Sequence, residues 1–352
     1  MGIFAGTSRA RGADYPRGCG IHQGTSRDSP PALAKTKRPG RDTFRAVTQN
    51  VSRGESLSGR HLLEDALKHL HESEYSGTSA TVASLAGAHS LSLEQAGHLL
   101  EEMARAGLAT SGGADIRLTD HGRDEARHIV RAHRVYETYL ARETGITSED
   151  WHRHADEAEH RLTREAVDAL ADRLGRPRYD PHGDPIPTRD GSLPPRRGIP
   201  LLETEAGAGA LVLHLEDEPA GVYRCAAEAG ILAGSRLQVL AREPDQLRVA
   251  VEDRICELSL SVAGAIQVQP CAPPPPVRPL SSLRAGDSAR IAHLSPLLGG
   301  GERRRILDLG LVPGTLILRD FDSMLGSPTA YRVRGATVAL RKEQADRIFV
   351  ET

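Results

Sequence analysis

From about residue 58 to 175 the apolar positions recur with the period of an α-helix. Leu62, Leu63, Ala66, Leu67 and Leu70 form one stripe, Val82, Leu85 and Ala86 a short second one, and Ala96, Leu99, Leu100 and Met103 a third. Ser92 with Gln95 three residues later predicts a capping box at the start of the third helix. After Gly107, LATSGGADIRLT gives two β-prone arms about a Gly-Gly turn, the signature of a hairpin. Short, closely joined helices followed by a hairpin predict a winged helix-turn-helix over 58–120, with 93–105 as its recognition helix. A long helix is expected from Thr119 to about Arg142, then one holding HRHADEAEH (152–160) and one in LTREAVDALADRLG, together a helical unit over 121–187.

Beyond this the pattern changes. Residues 176–200 are so dense in Pro, Gly and Asp that their composition reads as linker, assigned most narrowly to 188–199, and a second Pro run follows at 270–279. Two later segments resemble each other: AEAGILAGSRLQVL (227–240) and LDLGLVPGTLILRD (307–320) align Gly230 on Gly310 and Gly234 on Gly314. Each precedes a β-rich stretch, which predicts an internal repeat of a small β-barrel over 200–269 and 280–352. The expected fold class is therefore multidomain α plus β. Residues 1–57 have no hydrophobic period and read as a disordered basic tail, with Arg9, Arg11, Arg17, Lys35, Lys37, Arg38, Arg41 and Arg45 outnumbering the acids.

Composition narrows the classes. The 352 residues suffice for several domains, and a formal net charge of -2 excludes a globally basic nucleic-acid binder while permitting a local patch. Cys19, Cys225, Cys256 and Cys271 lack CxxC spacing, so neither a disulfide framework nor a zinc knuckle is expected. No stretch approaches the ~20 apolar residues of a membrane span, and the start lacks a signal-peptide core. A soluble cytoplasmic protein is the expectation.

The chemistry lies in HRHADEAEH. His152, Asp156, Glu159 and His160 fall at i, i+4, i+7 and i+8, the face an amphipathic helix normally fills with Leu and Ile. A solvated charged helix would also carry such a stripe. On the preceding helix, however, His133 and Glu137 stand at i and i+4, a spacing that lets two side chains chelate one ion. With AHRVYETYL (132–140), HRHADEAEHRLTREAVDAL (152–170) and DPHGDPIP (180–187), the chain resembles the DtxR/MntR family of metal-dependent transcriptional repressors over roughly 60–187. ERRRILDLGLVPGTLILRD followed by VALRKEQADRIFVE resembles a FeoA domain, an SH3-like barrel, with 200–269 as a diverged copy.

The resemblance implies a main metal site of Asp65, Asp156, Glu159 and His160 and a neighbouring site of His133, Glu137 and His152. Softer-ligand members carry Met and Cys where this chain has Asp65 and Asp156. Carboxylate and imidazole donors favour Mn²⁺ or Fe²⁺, with Zn²⁺ able to bind in vitro. Manganese-sensing members have a Glu one turn after the first-helix Asp; here Lys68 stands there, which puts a two-ion cluster in doubt. In some relatives the barrel donates a carboxylate, and the run Glu216, Asp217, Glu218 lies in that region.

The implied function is a metal-dependent regulator of iron or manganese homeostasis, a homodimer on a palindromic operator in double-stranded DNA with the metal as corepressor. Leu162, Val167, Leu170 and Leu174 are candidates for the dimer surface or for ordinary core. DNA contacts are expected from Ser92, Gln95, His98, Arg105 and Arg117, with Lys68 a further candidate for phosphate. Against this, Glu94, Glu101 and Glu102 make the recognition helix acidic. The alternative is a metal-sensing accessory protein of a metal transporter with a vestigial winged helix. No nucleophile motif or Gly-rich phosphate loop points to an enzyme.

Overall fold

A computed structural model describes residues 57–113, 115–322 and 327–351. The basic tail expected over residues 1–57 lies, up to residue 56, outside the described residues. The chain begins with α1 (Leu57–Ser76), β1 (Ala80–Thr81), α2 (Val82–Ala88), α3 (Leu93–Arg105) and a hairpin of β2 (Ala109–Gly112) and β3 (Asp115–Leu118). β1 pairs antiparallel with β3, so the hairpin becomes a three-stranded sheet. The predicted stripes meet in one core: Ala66, Leu67, Leu70, Leu85, Ala96, Leu99 and Met103 are buried together with Ile116 and Leu118 of the hairpin. At about 25 cal/mol per Å² of apolar surface, this shared burial ties short helices that would not be stable alone. The Ser92–Gln95 capping box forms in both directions, at 3.1 and 2.8 Å.

α4 (Asp120–Glu143) is the axis of the helical region, N-capped by Thr119. α5 (Trp151–Glu159) and α6 (Arg164–Arg173) pack on it. Val167, Leu170, Ala171 and Leu174 are buried with Ala132, Val135 and Ile186, and Leu162 packs beside them. Of the two fates open to Leu162, Val167, Leu170 and Leu174, packing inside the chain is the one observed. The reading of 176–200 as linker from composition needs correction over its first half. Residues 178–187 have almost no regular structure, yet Asp180, His182 and Ile186 are buried. The Asp180 carboxylate accepts hydrogen bonds from the backbone N–H of His182, Gly183 and Asp184, each at 2.9 Å, replacing the ladder that Pro and Gly deny this segment. Gly183 has φ +101°, and a Cβ there would stand 2.0 Å from the Leu213 carbonyl oxygen, so only glycine lets the loop reach the next sheet.

The repeat is visible in the topology. The first sheet comprises β4 (Ile199–Pro200), β5 (Gly209–Leu215), β6 (Arg236–Arg242), β7 (Gln246–Val251), β8 (Arg254–Ser259) and β9 (Ile266–Cys271), ordered β4-β9-β5-β6-β7-β8. The second comprises β10 (Val277–Pro279), β11 (Ser288–Leu294), β12 (Leu316–Asp322), β13 (Thr329–Val333), β14 (Ala336–Leu340) and β15 (Ile348–Glu351), ordered β10-β15-β11-β12-β13-β14, the same path. A helix follows the second strand of each copy: α7 (Ala220–Glu228) and, after α8 (Leu260–Gly264), α9 (Gly300–Asp308). Gly230 and Gly310 take the left-handed conformation just past these helices, and the N–H groups of Ile231 and Leu311 close back on Ala226 and Ile306. Each sheet encloses its own apolar core. No described helix is long and apolar enough to cross a membrane.

Candidate metal centre

Five stretches converge on one polar centre. α1 brings Glu64, Asp65 and Lys68; α4 brings His133 and Glu137; α5 brings His152, Asp156 and Glu159, with His160 at its C-cap. The loop after α6 adds Asp180 and His182, and the turn after β5 adds Asp217 and Glu218. Each helical pair is local in origin, since residues three or four apart share a face. Their meeting depends on α4 packing against both α1 and α5.

The donor atoms form four overlapping triads, each with its atoms within 4.8 Å of one another: Asp65–Glu159–His160, His133–Asp156–Glu159, His133–Glu137–His152 and Glu137–His182–Asp217. Neighbouring triads share Glu159, His133 or Glu137, so ligand-type atoms run without a break from α1 to the first barrel. His133 lies between carboxylates, with Nδ1 2.5 Å from Glu159 and Nε2 3.1 Å from Glu137. His152 Nδ1 is 2.9 Å from Asp217, and its Nε2 is 3.3 Å from Asp156 and 3.4 Å from Glu218. His160 Nδ1 is 2.6 Å from Glu64, and its Nε2 is 3.4 Å from Asp65.

All seven residues expected at the metal sites are therefore at this centre, in a different partition. Asp65, Glu159 and His160 stand together, whereas Asp156 faces His133 and His152 rather than Asp65. His133, Glu137 and His152 form the neighbouring triad. Sequence reasoning missed Glu64, Asp180 and His182. It placed the 216–218 run only roughly, and of that run Asp217 and Glu218 reach His152. The i+2 spacing of Asp180, His182 and Asp184 was the one available signal, inside a stretch whose composition pointed to linker.

Charge is packed tightly. Burial and the Lys68 ammonium push His133 down, but the Glu137 and Glu159 carboxylates outweigh them and raise its imidazole to about 9. Burial also opposes charge on His152 and His182, yet Asp217 and Glu137 raise the first to about 12 and Glu137 raises the second to about 10. Burial raises Asp65, with the neighbouring Glu159 adding to it. Burial works the same way on Asp180, where Asp184 and Glu137 help lift it to about 8.

The residues fit a divalent cation. The donors are oxygen and imidazole nitrogen without sulfur, a set suited to hard-to-borderline ions. Both ring nitrogens of His182 are buried and lack a hydrogen-bond partner among the described residues, its Nε2 lying 3.6 Å from Glu137, beyond hydrogen-bond length. Arg134 stands beside the centre as a structural cation. Its guanidinium meets Glu72 at 2.5 Å, Asp184 at 3.6 Å and Asp180 at 3.7 Å.

The residues expected to meet DNA lie apart from this centre. His98, Arg105 and Arg117 are exposed, while Ser92 and Gln95 use their side-chain oxygens in the cap of α3. Lys68, considered for phosphate, points inward: its Nζ is 2.9 Å from Asp156 and 3.3 Å from Glu159.

Known proteins match this architecture. A family described as "Iron dependent repressor, metal binding and dimerisation domain" matches residues 119–188, and "FeoA domain" matches 278–352. The iron-dependent repressor IdeR of Mycobacterium leprae is 27% identical over 165 residues, covering 42% of this chain and 71% of that protein. A probable metal transport system membrane protein of Chlamydia trachomatis is 38% identical over 87 residues, of which this chain spans only 19% of the length. Among solved structures, a manganese-dependent transcriptional repressor in complex with manganese superposes with a TM-score of 0.54 at 32% identity, covering 58% of this chain and 98% of that one. With that repressor covered almost end to end and the two domain matches on either side of the first barrel, the chain belongs to the DtxR/MntR family of metal-dependent transcriptional repressors, with a FeoA domain at its C-terminal end.

Proposed function

We propose that this protein is a metal-dependent DNA-binding transcriptional regulator, a homodimeric repressor acting in iron or manganese homeostasis. The observation that carries the reading is the unbroken run of ligand atoms that joins α1, the first helix of the N-terminal module, to α5 and the first barrel. A divalent cation, Mn²⁺ or Fe²⁺ by the donor set and Zn²⁺ in vitro, supplies positive charge between carboxylates that otherwise repel. The chain's own residues do the rest. Asp65 holds α1 toward Glu159 and His160, and the shared core of the N-terminal module makes α3 move with α1 as one body. Fixing α1 therefore fixes where α3 is presented, and in a dimer it fixes the spacing of two such helices for a palindromic site.

In this reading residues 58–120 are a winged helix-turn-helix, 121–187 the metal-binding and dimerisation unit, and 200–269 and 280–352 SH3-like barrels, joined by 188–199 and 270–279. The metal residues are Asp65, Asp156, Glu159, His160, His133, Glu137 and His152, with His182 and Asp217 added from the geometry. His98, Arg105 and Arg117 are exposed for contact with DNA, His98 beside Glu101 at 3.6 Å, and Ser92 acts by fixing the start of α3. The residues serve binding rather than turnover, so no enzymatic activity is assigned.

The test is fluorescence anisotropy on DNA upstream of the gene at fixed salt, with and without Mn²⁺ or Fe²⁺, beside a Glu159→Gln variant. Specific binding that requires metal and is lost in the variant supports the repressor. Metal binding with no specific DNA affinity favours a protein partner instead, the outcome to which the exposed Glu94, Glu101 and Glu102 of α3 would point.

A further inference from the structure

Lys68 sits where a cation would sit. Its Nζ lies 2.9 Å from Asp156 Oδ1, 3.3 Å from Glu159 Oε2 and 3.3 Å from His133 Nδ1, the three residues of one of the overlapping triads. The adjacent triad, Asp65–Glu159–His160, meets the lysine through the shared Glu159. We propose that Lys68 is a resident counter-cation: its ammonium permanently fills the His133–Asp156–Glu159 position, so that the centre around Glu159 takes one divalent ion instead of two. This rests on the reading of the centre as a metal site and narrows it: Asp156 seats the ammonium instead of an ion, and Lys68 sets the number of ions at Glu159.

Three physical points support the assignment. A tethered ammonium needs no recruitment from solution, and two carboxylates face it at 2.9 and 3.3 Å. A divalent ion in the same triad would have to share two carboxylates with that ammonium at like-charge repulsion. Finally, Lys68 and Asp65 are three residues apart on one face of α1, so the helix carries two latches toward α5. One is a lysine that closes without metal, and the other is a carboxylate facing Glu159 that is helped by an added cation. Metal then acts on a helix already half held.

The experiment is Mn²⁺ titration of the full chain by electron paramagnetic resonance, in a His152→Ala, His182→Ala background that breaks the two triads built on Glu137 and leaves the two built on Glu159. Lys68→Glu and Lys68→Gln are compared with the chain that keeps Lys68. One ion per chain with an isolated-ion spectrum is expected with Lys68. Lys68→Glu is expected to take a second ion and give the spin-coupled spectrum of two ions bridged by one carboxylate. Lys68→Gln, which adds no carboxylate, is expected to gain a weaker second ion. A spin-coupled pair with Lys68 present, or the same single ion in all three, overturns the proposal. If none of the three binds Mn²⁺, the metal reading itself falls and the inference with it, an outcome distinct from either of the others. Amide exchange in chelator-treated protein supplies a readout without metal: Lys68→Gln should speed exchange around 64–70, Lys68→Arg should largely restore protection, and unchanged exchange counts against the lysine latch.

Discussion

Asp217 Oδ2 lies 2.9 Å from His152 Nδ1, the shorter of two ion pairs that join the turn after β5 to α5. The first C-terminal sheet thereby contributes side chains to the polar centre. Replacing Asp217 by Ala removes a ligand-type oxygen from the Glu137–His182–Asp217 triad and leaves His152 with weaker partners. We expect metal affinity at that end of the centre to fall at least about tenfold, the scale on which even outer partners of metal ligands act. Isothermal titration with Mn²⁺ checks this, and an unchanged affinity would place the barrel outside the site.

Proton competition gives the pH dependence. The imidazoles of His133, His182 and His152 are raised to about 9, 10 and 12, so without metal they hold protons at neutral pH. A coordinating imidazole must be neutral, so metal binding releases protons and tightens as pH rises. The stability of the metal-free fold runs the other way. The folded chain binds these protons more tightly than the unfolded chain, whose histidines titrate near 6.5. Their contribution is complete below about pH 6.5 and is lost as pH climbs through about 9 for His133 and higher for the others. Titrations in buffers of different ionisation enthalpy should report net proton release, and melts of chelator-treated protein should decline from pH 6.5 to 9. Metal affinity that is flat over this range would contradict the assignment of these histidines as ligands.

Arg134 is the buried cation that three carboxylates share. Arg134→Met keeps an apolar stem but leaves Glu72 to the exposed Arg196, Asp184 to His214 and Asp180 without a guanidinium. Breaking a buried pair from one side costs on the order of 3–5 kcal/mol, and a loss of that size should appear as a lower urea midpoint. The loss should shrink in acid, where these carboxylates take up protons. A variant as stable as the parent would mean that the guanidinium contributes nothing net.

Much of this centre was legible because it is local. His152, Asp156, Glu159 and His160 announce themselves at i, i+4, i+7 and i+8, and His133 with Glu137 at i and i+4, since helix geometry alone puts them on one face. The barrel repeat was legible for the same reason: Gly230 and Gly310 mark identical helix ends. What could not be read was which faces meet. Asp156 turns to His133 and Lys68 instead of Asp65 because of how α1 and α5 dock on α4, and no spacing encodes that. Lys68 stood out as a departure from the family pattern, yet its place among the carboxylates is set by residues 65 to 91 positions away. His182 was hidden in a Pro- and Gly-rich run whose composition is that of a linker and whose order comes from the Asp180 carboxylate.

That hidden loop supports the last prediction. Gly183 holds φ +101°, and an added Cβ would stand 2.0 Å from Leu213 O and 2.7 Å from the Cα of His214, both backbone atoms that cannot swing aside. Gly183→Ala therefore combines a strained backbone with a clash against β5, and a destabilisation of more than about 1 kcal/mol is expected. Because His182 is the adjacent residue, relief of the clash must carry its imidazole away from Glu137 and Asp217. The variant should lose metal affinity at the barrel side of the centre while a helical-side defect such as Asp65→Ala leaves that affinity in place. Comparing Mn²⁺ titrations of the two variants separates these effects. If Gly183→Ala lowered stability but left binding untouched, the loop would be a packing element and His182 would have no part in holding the ion.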